Sequence, residues 1–208
     1  MVKRRVNVKK HVYTMLITVS IFTVGFFVGY LVTREVVSTS LERMEAVRLK
    51  IMGGLLQPEL TTCMLNITRL NEERYWIGKQ VEMLEREYGK NNRDVILLKE
   101  NYMLLVISHF TAVEKWKEEC GGNFTVVLFF YSNVENREEC ENQGIVLDAI
   151  HRENSDVLIF SIDTGIENPA IKSLIEMYKV RRVPSVVIEG KLYEGFLDKQ
   201  RLEDIIGV

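Results

Sequence analysis

The residues with most chemistry to offer in this 208-residue sequence are its three cysteines, Cys63, Cys120 and Cys140. A thiol attacks only as the thiolate, and an exchange cycle needs a second thiol in reach to resolve the mixed disulfide. Cys140 sits at the opening of a predicted helix with Arg137 close by, two features that lower a thiol pKa, while Glu138 and Glu139 raise it. With a single thiol in its segment, Cys140 cannot complete a dithiol cycle by itself. The three histidines, His11, His109 and His151, are far apart in sequence and have no neighbouring cluster of ligand-type residues, so no metal and no cofactor are expected.

Cys63 and Cys120 need elements that bring them together. Leu60, Cys63, Ile67, Leu70, Arg74, Ile77, Val81, Leu84 and Tyr88 recur at alternating three- and four-residue spacing, an apolar seam interrupted only by Arg74. A second seam runs through Val95, Leu98, Tyr102, Leu105, His109, Ala112 and Trp116. Between them, Gly89-Lys90-Asn91-Asn92 has turn chemistry. The pattern predicts an antiparallel helical hairpin over 58–120, entered at Pro58, with Cys63 and Cys120 side by side at its open end. A disulfide there would close a long loop and contribute a few kcal/mol, about 3–4 on the chain-entropy view. Arg74 on the seam is expected to snorkel outward or to pair with an acidic neighbour.

Upstream, Lys3, Arg4, Arg5, Lys9 and Lys10 precede an uncharged run over 12–33. As a helix the run is about 33 Å long, enough for a hydrocarbon core of ~30 Å. It is longer than the apolar part of a cleaved signal peptide, and no A-x-A site follows. Tyr13 and Tyr30 lie near its ends, as interfacial aromatic residues do, and the basic cluster predicts a cytoplasmic N-terminus. The lipid bilayer is therefore the first expected partner, with the chain a single-pass protein of the cell membrane whose remainder is extracytoplasmic. Gly25 and Gly29 form a G-x-x-x-G that lets a second membrane helix approach closely. Asn66-Ile-Thr68 and Asn123-Phe-Thr125 fit the N-glycosylation pattern, consistent with an exported segment. The organisation expected is a basic N-terminus over 1–11, a span over 12–33, a juxtamembrane helix over 34–57, the hairpin over 58–120 and a C-terminal domain over 123–208. A balance of 27 basic against 29 acidic residues gives no reason to expect nucleic acid.

From Thr125 the texture changes. Strands are predicted over 125–131, 157–162, 185–188 and 192–194, and helices over 138–153, 169–178 and 198–206. This order builds a central mixed sheet with helices on its faces, because parallel neighbours need crossovers while the last two strands can form a hairpin.

Residues 124–208 resemble the thioredoxin family, in the apolar strand ending Phe-Tyr131-Ser, in Tyr178-Lys-Val-Arg-Arg-Val183-Pro184-Ser-Val-Val-Ile188 and in Gly195-Phe196 followed by Leu202-Glu-Asp-Ile-Ile206. The resemblance implies an α/β thioredoxin-like C-terminal domain, a cis Val183–Pro184 bond facing the active-site turn, and a Cys-x-x-Cys at the first helix. Arg137 stands at the first cysteine position and Cys140 at the second. The nucleophile is replaced. What the resemblance leaves is a groove of Arg137, Cys140, Val183 and Pro184 that could bind an exported polypeptide in extended form, as an accessory subunit of a membrane complex. Membrane-tethered thioredoxin-like subunits of oligosaccharyltransferase are similar in this respect. The alternatives are a monothiol or disulfide oxidoreductase acting through Cys140, and an oligomerisation scaffold whose two helical seams are open to another chain.

Overall fold

The structure, a computed structural model, describes the backbone of residues 8–60 and 66–208, with the side chains of all of these except 8, 33–41 and 57–60. Lys3, Arg4, Arg5 and Cys63 lie outside the described residues. The chain forms two compact units, Met1–Glu45 and Ala46–Val208.

The first unit is occupied by helix α1 (Val8–Leu60), which continues into the second. Its stretch Lys9–Val32 has a mean hydropathy of 2.2 and exposes its apolar side chains throughout. It is long and apolar enough to cross a membrane. The new helix predicted to start at Pro58 does not form as such, because α1 runs on to Leu60. Proline has no N–H, so the carbonyl of Gly54 loses its donor four residues on. His109 Nε2 lies 3.0 Å from that oxygen and takes the place of the missing donor.

Helix α2 (Ile67–Tyr88) starts later than the predicted hairpin, at the Asn66 cap whose Oδ1 accepts from Arg69 N at 3.0 Å. Helix α3 (Arg93–Trp116) starts at Asn92, whose Oδ1 accepts from Asp94 N and Val95 N. Side-chain oxygens at both starts satisfy N–H groups that the helices leave unpaired. The hairpin forms as expected, and Leu70, Ile77, Val81 and Leu84 on one helix, with Val95, Leu98 and Leu105 on the other, are buried. Arg93–Gly121 also has the length and hydropathy of a membrane span, yet it buries Val95, Leu98, Met103, Leu105, Val106, Phe110 and Val113 within the protein.

Downstream lie β1 (Thr125–Tyr131), α4 (Arg137–Glu153), β2 (Val157–Asp163), α5 (Pro169–Tyr178), β3 (Ser185–Ile188), β4 (Lys191–Glu194) and α6 (Lys199–Ile206). The sheet order is β2-β1-β3-β4, with β1 parallel to β2 and antiparallel to β3, and β3 antiparallel to β4. Alternation along the strands divides two faces. Val127, Phe129, Val186 and Ile188 pack with Leu147 and Ile150 of α4 and Leu202 of α6. Val126, Leu128, Phe130, Leu158, Phe160 and Val187 pack on the opposite side with Ile171 and Leu174 of α5.

That second face also receives Met103, Val106, Phe110 and Val113 of α3. The hairpin is thus part of the α/β core and not a separate domain ending at residue 120. Helix α3 carries two apolar stripes, one toward α2 and one toward the sheet, and the heptad spacing marks only the first.

Candidate functional site

The turn after β1 leads into α4, which carries Arg137 and Cys140, and touches Val183 through Asn136. Ser132 Oγ accepts from Val134 N and Glu135 N, both at 3.1 Å, and folds residues 132–135 tightly before α4. Asn136 then adopts a left-handed conformation, φ 45°, which asparagine tolerates better than most residues. Its side chain does not cap α4; Nδ2 donates to the carbonyl of Val183 at 2.8 Å. The Val183–Pro184 bond is cis, as the resemblance implies, and both residues are buried.

Arg137 and Cys140 leave this turn in different directions. Arg137 is exposed and its Nε donates to Glu141 at 2.7 Å, one helical turn along. It does not assist the thiol. Cys140 is buried, free, and its Sγ lies 3.7 Å from the Glu135 carbonyl, which accepts from the thiol. Burial pushes its pKa up, a backbone hydrogen bond at Ser132 pulls it down, and the carboxylates of Glu139 and Asp163 add to the rise. The expected activation by a helix start and an arginine is overridden by removal from water and by negative neighbours.

A cleft of about 270 Å³ opens beside the thiol, walled by Phe129, Tyr131, Ser132, Asn133, Cys140 and Glu141 among others. Its neighbour is larger, about 580 Å³, and lies between α2, α3 and the β2–α4 side of the sheet. Tyr131, Asn133, Glu141 and Ser161 belong to both walls. Arg137 lines the larger cavity and Cys140 the smaller, whereas Val183 and Pro184 are in the wall of neither.

Residues that the sequence did not single out hold this region. Asp163, at the end of β2, receives Lys99 Nζ at 2.8 Å, Asn133 Nδ2 at 2.7 Å and Gly165 N at 3.0 Å. Lys99 also reaches Glu85 at 3.6 Å, tying α2, α3 and β2. Gln143 is buried in α4 and exchanges two hydrogen bonds with the backbone of Leu197, fixing the loop before α6. The apolar run of β2 ending on a charged Asp163 was the signal in the sequence, and the lysine that answers it is 64 residues earlier, by the numbering alone.

Cys120 is disulfide-bonded, and its expected partner Cys63 lies outside the described residues. Asn66 and Asn123 are exposed. Gly25 and Gly29 lie four residues apart in α1, and a Cβ added to either meets nothing within 4 Å. Among the described residues no group of three His, Cys, Asp or Glu is placed to hold a metal. His109 is buried on the seam, and its pKa is lowered to about 4, chiefly by burial. Compared with protein-family models, characterised proteins and solved structures, the chain matches none.

Proposed function

We propose that this is a membrane-anchored, thioredoxin-like recognition module without a redox cycle, which binds exported polypeptides at the cleft where α4 begins. The observation that carries the reading is the state of Cys140: free, buried and pushed toward the neutral thiol, with Arg137 where a nucleophile would stand. The element order and the β2-β1-β3-β4 sheet support the family assignment. The open cleft beside the thiol, with Phe129 and Tyr131 next to Ser132 and Asn133 in its wall, supports binding of a polypeptide segment. Segment Lys9–Val32 serves as the anchor, with its basic flank cytoplasmic and the Ala46–Val208 unit outside. The exposed asparagines of the two sequons and the disulfide at Cys120, for which Cys63 is the expected partner, suit that compartment, and the Gly25/Gly29 face would dock the span of a membrane partner.

The oxidoreductase alternative loses ground to the raised thiol pKa. The scaffold alternative loses much of the surface it needs, because Leu70, Ile77, Val81 and Leu84 on one seam, with Val95, Leu98 and Leu105 on the other, are buried inside the chain.

The test is site-specific photocrosslinking in intact membranes, with a benzophenone side chain at Val134, which is 86% exposed on the rim of the turn. Adducts with polypeptides in transit, retained in Cys140→Ser, are the expected result. Absence of adducts, or their loss in Cys140→Ser, overturns the reading.

A further inference from the structure

An arginine on an apolar seam is expected to snorkel or to find a carboxylate, and Arg74 stands on such a seam. It does neither. Arg74 is 7% exposed, its guanidinium lies 4.4 Å above the Phe160 ring, and its Nε has no partner. What it does have is Asn71 Oδ1, which accepts from its terminal nitrogen. Asn71 Nδ2 in turn faces His151 Nε2 at 3.4 Å, and His151 Nδ1 sits 2.7 Å from the Val157 carbonyl. The carbonyl can only accept, so Nδ1 carries the proton and Nε2 receives the Asn71 amide. This relay from β2 through His151 and Asn71 sets the orientation of the guanidinium.

The cation stands in the wall of the 580 Å³ cavity. The other charges there are largely balanced: Lys79 and Arg86 share Glu82, Lys99 reaches Glu85, and Arg137 takes Glu141. Arg74 has no carboxylate among the described residues. A buried charge without a counter-ion is costly, and a planar fork of N–H donors matches an oxyanion with two parallel bonds. Tyr75, Tyr102, Val81 and Met103 supply an apolar part to the same wall, and the volume is in the range of small-molecule sites.

We infer that this cavity binds a small organic carboxylate, whose charged group pairs with Arg74 and whose body lies against the tyrosines and Met103. A carboxylate fits better than a phosphate because Glu82, Glu85 and Asp148 also face the cavity and oppose a dianion. The site does not depend on the peptide-binding reading, and its wall is made mainly by the helical hairpin.

The test titrates the full chain in uncharged detergent with sodium acetate, sodium phosphate or sodium chloride at constant ionic strength, following the side-chain signals of Asn71 and His151 by NMR. Acetate is expected to give saturable shifts that chloride does not. Arg74→Met, which replaces an unpaired buried cation by an apolar side chain of similar length, should remain folded and lose the response. Arg74→Lys keeps a charge but not the fork, and should weaken acetate by about tenfold. A chloride response equal to that of acetate, or acetate affinity unchanged in Arg74→Lys, overturns the site. Phosphate binding as tightly as acetate overturns the carboxylate class. Should Arg74→Met fail to fold, the acetate–chloride contrast and Arg74→Lys still decide.

Discussion

Phe110 of α3 meets Phe160 of β2 edge to face, with ring centroids 5.7 Å apart and planes at 68°. Such a pair adds to the area it buries, and both rings are inside the core. It joins the hairpin to the sheet. Phe110→Ala is expected to cost about 3–5 kcal/mol. Because the two parts share one core, hydrogen exchange should show α3 and β2 losing protection together. Loss confined to α3 would separate the hairpin from the domain. Excision of residues 123–208 should likewise expose Leu128, Leu158 and Phe160 and give a product that binds hydrophobic dyes.

Most of the C-terminal architecture was legible in the sequence because its signals are local. The strand runs are bounded by turns, and Asn168-Pro169 and Asp198 mark helix starts, where both side chains accept from backbone N–H groups. Two things were not legible. Pro58 reads as a helix start, but the vacancy it leaves at Gly54 is filled by His109, a residue 55 positions away. The double stripe of α3 was hidden because Met103, Val106, Phe110 and Val113 keep helical spacing beside the heptad positions, so neither stripe stands out alone. At the site, Cys140 stood out as the lone thiol of its segment, and Val183 through the resemblance. Asn136, Lys99 and Asp163 did not, since their roles exist only where distant segments meet.

Lys99 tests that meeting point. Lys99 and Asp163 keep only 14% and 5% of their side-chain surface, so their bond is little screened by water. Removing one partner of a buried pair leaves a charge without compensation. Lys99→Met should cost about 3 kcal/mol in urea unfolding. Asp163 retains Asn133 and Gly165 as donors, which places the effect toward the low end for such pairs. The double variant with Asp163→Asn should recover part of the loss. A cost below about 1 kcal/mol for Lys99→Met would mean that the contact behaves as a surface pair.

His109 gives a dependence on pH with a fixed sign. Its pKa falls from 6.5 to about 4, first through burial, while the Gly54 carbonyl opposes the fall and the Arg74 cation adds to it. Between those values the unfolded chain takes up a proton that the folded chain refuses. The stability held by the neutral ring is therefore complete above pH 6.5 and declines as pH falls toward 4. Glutamine can donate to Gly54 but does not titrate. Denaturant unfolding of His109→Gln at pH 7, 5.5 and 4 should show a shallower decline than the parent chain. Parallel declines would exclude His109 as the source.

Cys140 runs in the opposite direction. Its thiol is raised by burial first, and by Glu139 and Asp163 after the opposing Ser132 backbone, so folding favours the protonated form. The contribution is complete below the ordinary thiol pKa of about 8.5 and is lost as pH climbs above it through the raised folded value. Two outcomes follow from the same cause. In the folded protein at pH 7.5, labelling by iodoacetamide should be slower than that of a free cysteine, and it should accelerate only at alkaline pH. Cys140→Ala should in turn flatten the fall in stability between pH 8 and 10. The thiolate is the reactive species, and at neutral pH burial and two carboxylates all disfavour it. Rapid labelling at pH 6 without unfolding would reverse this ordering and restore a redox role to the position.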